Sequence, residues 1–139
     1  MAGPYTILEH PSDVGVEARG SSLAEAFQHA AAGMMSVIVD PSRVDLRDTR
    51  TVTVRAADAE QLLVRWLSEV LYLYDATGFV GKEFAMTQWS RTALEAVVRG
   101  EPFSAERHRV RTDVKAVTYH LLLVEGGDQG GRVRFYLDI

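Results

Sequence analysis

The order of apolar patterns along the chain predicts an α+β fold, a mixed and mostly antiparallel sheet with two helices packed on one face. Three observations carry that expectation. Two early runs alternate as strands do, two later segments open on capping boxes and continue with apolar residues at helical spacing, and the C-terminal half reads mainly as strands. At 139 residues, 47% of them hydrophobic and 24% charged, the chain suits one ordinary domain spanning 1–139, with enough length for a sizeable core.

The first strands are expected over 4–9 and 14–19, on either side of the turn His10-Pro11-Ser12-Asp13, where Pro11 rules out a central ladder position. Ser22 with Glu25 forms a capping box, and Leu23, Phe27, Ala30, Ala31 and Met34 then recur on one face, so helix one should run from about Leu23 to Val37. Thr51 to Arg55 alternates as a strand. Asp58 with Gln61 opens helix two, whose Leu62, Leu63, Trp66, Leu67, Val70, Leu71 and Tyr74 make a wide apolar face. Full burial of such side chains is worth roughly 1.5–3 kcal/mol each, which makes this helix the expected spine of the core. Two alternating runs, 83–89 and 92–99, are separated at hairpin spacing by Ser90-Arg91. A long strand over 114–125 should return through the flexible loop Gly126 to Gly131 into a last strand, Val133 to Ile139, paired with it antiparallel.

Composition excludes several classes of function. Cysteine is absent, which removes disulfides, thiol nucleophiles and thiolate metal sites. No apolar run reaches membrane-spanning length and the first residues lack a signal-peptide pattern, so the cytoplasm is the expected location. A net charge of -4 argues against nonspecific nucleic-acid binding as the main activity. There is neither a P-loop nor a dinucleotide fingerprint, and no nucleophile elbow surrounds a serine. The four histidines, His10, His29, His108 and His120, show no zinc-protease spacing.

What remains is Glu9-His10-Pro11-Ser12-Asp13 and the ending Asp138-Ile139. A turn between two early strands can bring Asp13 beside the end of a neighbouring strand, gathering two carboxylates and a terminal carboxylate. Like charges that close cost Coulomb energy unless a cation, a proton or amide donors neutralise them. An oxygen-only donor set suits Ca²⁺ or Mg²⁺ rather than Zn²⁺. Two alternatives stand beside this one: a solvated last residue with an incidental Asp, and an ion pair in which Lys115 neutralises the cluster.

Taken together, His10-Pro11-Ser12-Asp13-Val14-Gly15, the Leu23 to Met35 helix, Leu62-Leu63-Val64-Arg65-Trp66-Leu67, Asp113-Val114-Lys115-Ala116-Val117-Thr118-Tyr119-His120 and the final Leu137-Asp138-Ile139 resemble the archease family across nearly the whole chain. The resemblance implies a non-catalytic accessory protein of the GTP-dependent RNA ligase of the RtcB type, in tRNA splicing and RNA repair, promoting ligase guanylylation and repeated turnover. It carries metal binding over to Asp13, Asp138 and the Ile139 carboxylate. Lys115 matches a family lysine placed to contact the ligase or its nucleotide, and Glu9, His10 and His108 match recurrent acidic and histidine positions. One departure is plain: the family usually reads His-Thr-Ala-Asp where this chain has His10-Pro11-Ser12-Asp13, so a threonine hydroxyl is missing. A metal-independent protein-binding chaperone and a small metal-dependent hydrolase are the competing classes, the latter short of a general base beyond His10 or Glu9. An open edge strand leaves a homo-oligomer as a further expectation.

Overall fold

The computed structural model describes residues 3–9 and 12–139, with Glu9 described by its backbone alone. His10 and Pro11, and with them half of the predicted turn, lie outside the described residues.

Local sequence accounts for both helices. Helix α1 (Leu23–Ile38) starts where Ser22 Oγ accepts the N–H of Glu25 at 3.1 Å, while Glu25 reaches back to accept the N–H of Ser21 at 2.8 Å. Helix α2 (Ala59–Thr77) repeats the device, with Asp58 accepting from Gln61 N–H and Gln61 accepting from Ala57 N–H, each at 2.8 Å. Each pair satisfies one backbone donor of the first turn, which has no helical partner, and one donor of the residue just before the cap. Both helices match the expected spans to within a residue or two at their starts.

The strands divide between two antiparallel sheets, where the sequence pattern suggested a single one. The first, in the order β1-β2-β7-β6, contains β1 (Tyr5–Glu9), β2 (Asp13–Gly20), β7 (Gly130–Asp138) and β6 (Ala116–Gly127). The second, β3-β5-β4, contains β3 (Asp48–Arg55), β5 (Ala93–Pro102) and β4 (Phe79–Trp89). The α+β expectation holds, and every strand pair is antiparallel. The segment expected as a loop between β6 and β7 is mostly paired: Gly127 sits opposite Gly130, leaving only Asp128 and Gln129 in the turn. Gly126 there has φ 109°, a conformation that side chains disfavour.

The helices join the two sheets. Helix α1 packs against β2 and β7 of the first sheet and β4 of the second, and α2 packs against β6, β4 and β3. Trp66 of α2 is fully buried and donates its indole N–H to the Phe27 carbonyl of α1 at 2.9 Å. Leu62, Leu63, Leu67 and Val70 are buried with it, as the apolar face of α2 predicts. Among the described residues, no helix is long and apolar enough to cross a membrane.

Candidate functional site

Period-two alternation sorts β2 and β7 into an inner and an outer set. Val16, Ala18, Val133, Phe135 and Leu137 are buried in the core, so their neighbours Asp13, Gly15, Tyr136 and Asp138 belong to the opposite face. The register pairs Asp13 directly with Asp138 and Gly15 with Tyr136. Direct antiparallel partners have Cβ atoms about 4.5–5.5 Å apart, which places the two carboxylate-bearing side chains next to each other on one face. Asp13 Oδ1 is buried, whereas Asp138 is exposed. Ile139 is half-buried and packs against the core.

The surroundings of this pair are built by β6 and by the Tyr136 ring. Ala116 lies opposite Asp138 and Thr118 opposite Tyr136, and the Lys115 N–H donates to the Asp138 carbonyl at 2.8 Å. Tyr136 is buried although it sits on the outer face, because its ring covers Gly15; a Cβ at that position would approach the ring to 2.7 Å. The His120 ring meets Tyr136 edge-on at 6.1 Å. Beyond Thr118 the ladder breaks and resumes at Leu123, so residues 119–122 bulge outward, with Leu121 at φ 52° and Tyr119 and Leu121 exposed. A side chain held at positive φ in a bulge is a strained arrangement of the kind that collects at functional edges.

The predicted site residues do not all share one place. The register sets Asp13 opposite Asp138 where β2 starts and β7 ends, and Ile139 is the next residue after that pair. Lys115 joins them through its backbone, but its side chain is exposed and makes no ion pair to Asp138 among the described residues. It lines a shallow cleft with Ser68, Tyr72 and Asp75. Glu9 is paired in register with Val14, one residue from Asp13, and His10 lies outside the described residues.

His108 stands apart from that group. It is buried, its Nδ1 accepts the Ser104 N–H at 2.9 Å, and its Nε2 donates to Glu101 at 2.9 Å. Glu101 is also buried and accepts from Arg107 at 2.8 Å and from the Asp45 N–H at 2.9 Å. Burial pushes the Glu101 carboxyl up, yet the bonds from Asp45, His108 and Arg107 outweigh it and hold the group below its ordinary value. Inaccessible and internally satisfied, His108 braces the segment after β5 instead of presenting a ring to a partner.

One pair of acids escaped the sequence pattern. Burial, and then the charge of Asp113, raise the Asp75 carboxyl above its usual range. Asp75 on α2 and Asp113 before β6 are far apart in the chain, and no local spacing signals their approach. Among the described residues no three His, Cys, Asp or Glu side chains form a group that would hold a metal. The candidate set at the β2–β7 end differs in kind, since it counts two side chains and a main-chain carboxylate.

Two antiparallel sheets bridged by two helices, with an acidic pair set in direct register between an early strand and the last one, define a distinct class of small α+β protein. The model of the archease protein family matches residues 5–139, and the chain belongs to that family. It is 36% identical over 139 residues to the protein archease of Methanosarcina acetivorans, covering 97% of this chain and 95% of that one. It is 40% identical over 136 residues to the protein archease of Saccharolobus islandicus, covering 97% and 98%. Among solved structures, a Methanobacterium thermoautotrophicum protein determined in solution superposes with a TM-score of 0.80 at 29% identity, covering 98% of this chain and 99% of that one. A crystal structure described as an archease, possible chaperone, from Thermotoga maritima gives 0.64 at 18% identity over 100% and 98%, a likeness of fold.

Proposed function

We propose that this chain is a non-catalytic accessory protein of an RtcB-type RNA ligase in tRNA splicing and RNA repair, promoting ligase guanylylation and multiple turnover through its acidic corner. The observation that supports this reading is the register of Asp13 against Asp138, with Ile139 one residue on. Family membership supplies the wider setting.

The donor set at this corner fits a hard divalent cation, Ca²⁺ or Mg²⁺, because carboxylate oxygens are the ligands both prefer. Asp13, Asp138 and the Ile139 carboxylate would hold it. When bound, such a cation supplies Lewis acidity and relieves repulsion between phosphates and an attacking group. The chain's own contribution is positional. Tyr136, packed over Gly15, keeps a rigid apolar floor beside the carboxylates, and the Lys115 N–H fixes the Asp138 backbone. The exposed Lys115 side chain is free to reach the ligase or its nucleotide.

The test is a guanylylation assay with the cognate ligase, run with and without this protein. Asp13→Ala and Asp138→Ala should abolish stimulation while leaving the thermal melt of the isolated protein nearly unchanged. Stimulation by either variant equal to that of the parent removes the acidic corner from the mechanism. The exposed Tyr119 and Leu121 favour a second reading, a metal-independent protein-binding chaperone. EDTA separates the two, since chelation should abolish the first activity and spare the second.

A further inference from the structure

The electrostatics of the chain are uneven. Net charge is -4, yet Arg43, Arg107, Arg109 and Arg111, with Asp40 and Glu106, line a cleft of about 380 Å³ beyond the C-terminal end of α1. The four arginines fall into two pairs with different surroundings. Arg107 is bound by Asp45 at 2.9 Å and Glu101 at 2.8 Å, and Arg111 by Asp40 at 3.2 Å and the Ser36 carbonyl at 3.3 Å. Their charges are largely answered within the fold, and their planes are fixed.

Arg43 and Arg109 are exposed and form no ion pair among the described residues. Arg43 nonetheless has a set position: its Nε donates to the Arg107 carbonyl at 3.3 Å, and Arg107 donates back to the Arg43 carbonyl at 3.2 Å. That exchange ties the turn at Pro41–Arg43 to the segment carrying Arg107, Arg109 and Arg111. The result is a concave surface with two guanidinium groups left over and a single acid, Glu106, outside the internal pairs. Guanidinium groups present planar forks of donors matched to phosphate oxygens.

The cleft also has a continuation. Arg111 lines a neighbouring groove with Ile7, Val14, Val37 and Thr112, and Val14 directly follows Asp13. By the alternation of β2, Val14 shares the face of Val16 and Ala18, opposite to that of Asp13, so the groove extends the arginine cleft over partly apolar ground on the other face from the acidic corner, suited to the less polar parts of a ligand whose phosphates sit among the arginines.

We propose that this cleft binds the phosphate groups of a nucleotide or of a single-stranded nucleic acid, with Arg43 and Arg109 as the contacting side chains and Arg107 and Arg111 as walls. The low overall charge limits nonspecific coating of the protein by a polyanion, but it does not oppose a local site of this kind. The proposal stands apart from the ligase reading, because it needs neither the ligase nor a metal.

It is tested on the isolated 139-residue chain in EDTA at low salt, titrated with inorganic triphosphate, with GTP and with a short labelled single-stranded RNA. Saturable binding of a phosphate probe is expected. For RNA, Arg43→Gln and Arg109→Gln should each lower the slope of log affinity against log salt by about 0.7, the value for one lost phosphate contact on a single strand. Together they should weaken binding of whichever probe is held by about tenfold or more. RNA binding that triphosphate does not displace assigns the site to a strand, and competition by GTP and triphosphate assigns it to a nucleotide. Asp13→Ala should bind as the parent does, which separates this outcome from the fate of the acidic corner. Failure of every phosphate probe to bind, binding that survives the double substitution, or preferential binding of a polyglutamate peptide would overturn the proposal.

Discussion

Glu101 and Asp138 both lie at the ends of strands, and they meet opposite fates. Glu101, near the end of β5, is 1% exposed, and both its oxygens are engaged by Asp45, Arg107 and His108. Asp138, the last residue of β7, is exposed and stands opposite another carboxylate, that of Asp13. The same chemical group is consumed by the fold in one place and presented by it in the other. A buried carboxylate persists only where donors replace the water it has lost, whereas an exposed one facing a like charge contributes little to stability and remains available to a ligand.

Breaking the satisfied cluster should produce the largest effect. Glu101→Ala leaves the buried His108 Nε2–H and the Asp45 N–H without their acceptor, while Arg107 keeps Asp45 and its contact with water, and a loss of about 1–3 kcal/mol for each of these two donors is expected from denaturant unfolding, against little change for Asp138→Ala. Saturating divalent cation sharpens the contrast from the other side. At a hundredfold excess over its dissociation constant it should stabilise the parent by about 2.7 kcal/mol and leave Asp138→Ala unmoved, as read by thermal melting. Gly15→Ala probes the floor beside the two carboxylates and should cost about 1–3 kcal/mol, since the new methyl drives into the Tyr136 ring.

The clusters should also differ in pH response. Because the Glu101 carboxyl is held below its ordinary value when folded, its stabilisation is fully present above the unfolded value near 4.3 and is lost as pH falls through the lower folded value. Stability of the parent should decline over that acid range, and Glu101→Gln should flatten this part of the profile. The smallest structural effect is expected at Lys115. Lys115→Ala should change stability by no more than about 0.5 kcal/mol, yet lower stimulation of the ligase if its exposed ammonium reaches the partner.

Much of this was legible in the residues because it is local. The capping boxes of Ser22 with Glu25 and Asp58 with Gln61 join groups three residues apart, and the hydrogen bonds form as the spacing requires. The alternation in β2 and β7 marked strands for the same reason. His108 shows where such reading stops. A histidine ahead of the Lys115 run looked like a site residue, and nothing nearby in the chain indicated that Glu101 would bury it.

The amino-acid order by itself determined the α+β class, both helices with their starts, most of the strands and the acidic residues at the two ends of the chain. Tertiary structure alone decided that the strands form two sheets, that Asp13 falls opposite Asp138, that Asp75 meets Asp113, and that arginines from the turn after α1 and the segment after β5 share one cleft. The division has a physical cause. Capping and periodicity are energies of neighbours within one turn or one pleat, whereas register and convergence are chosen by how the whole core packs, over separations in the chain that no short pattern records.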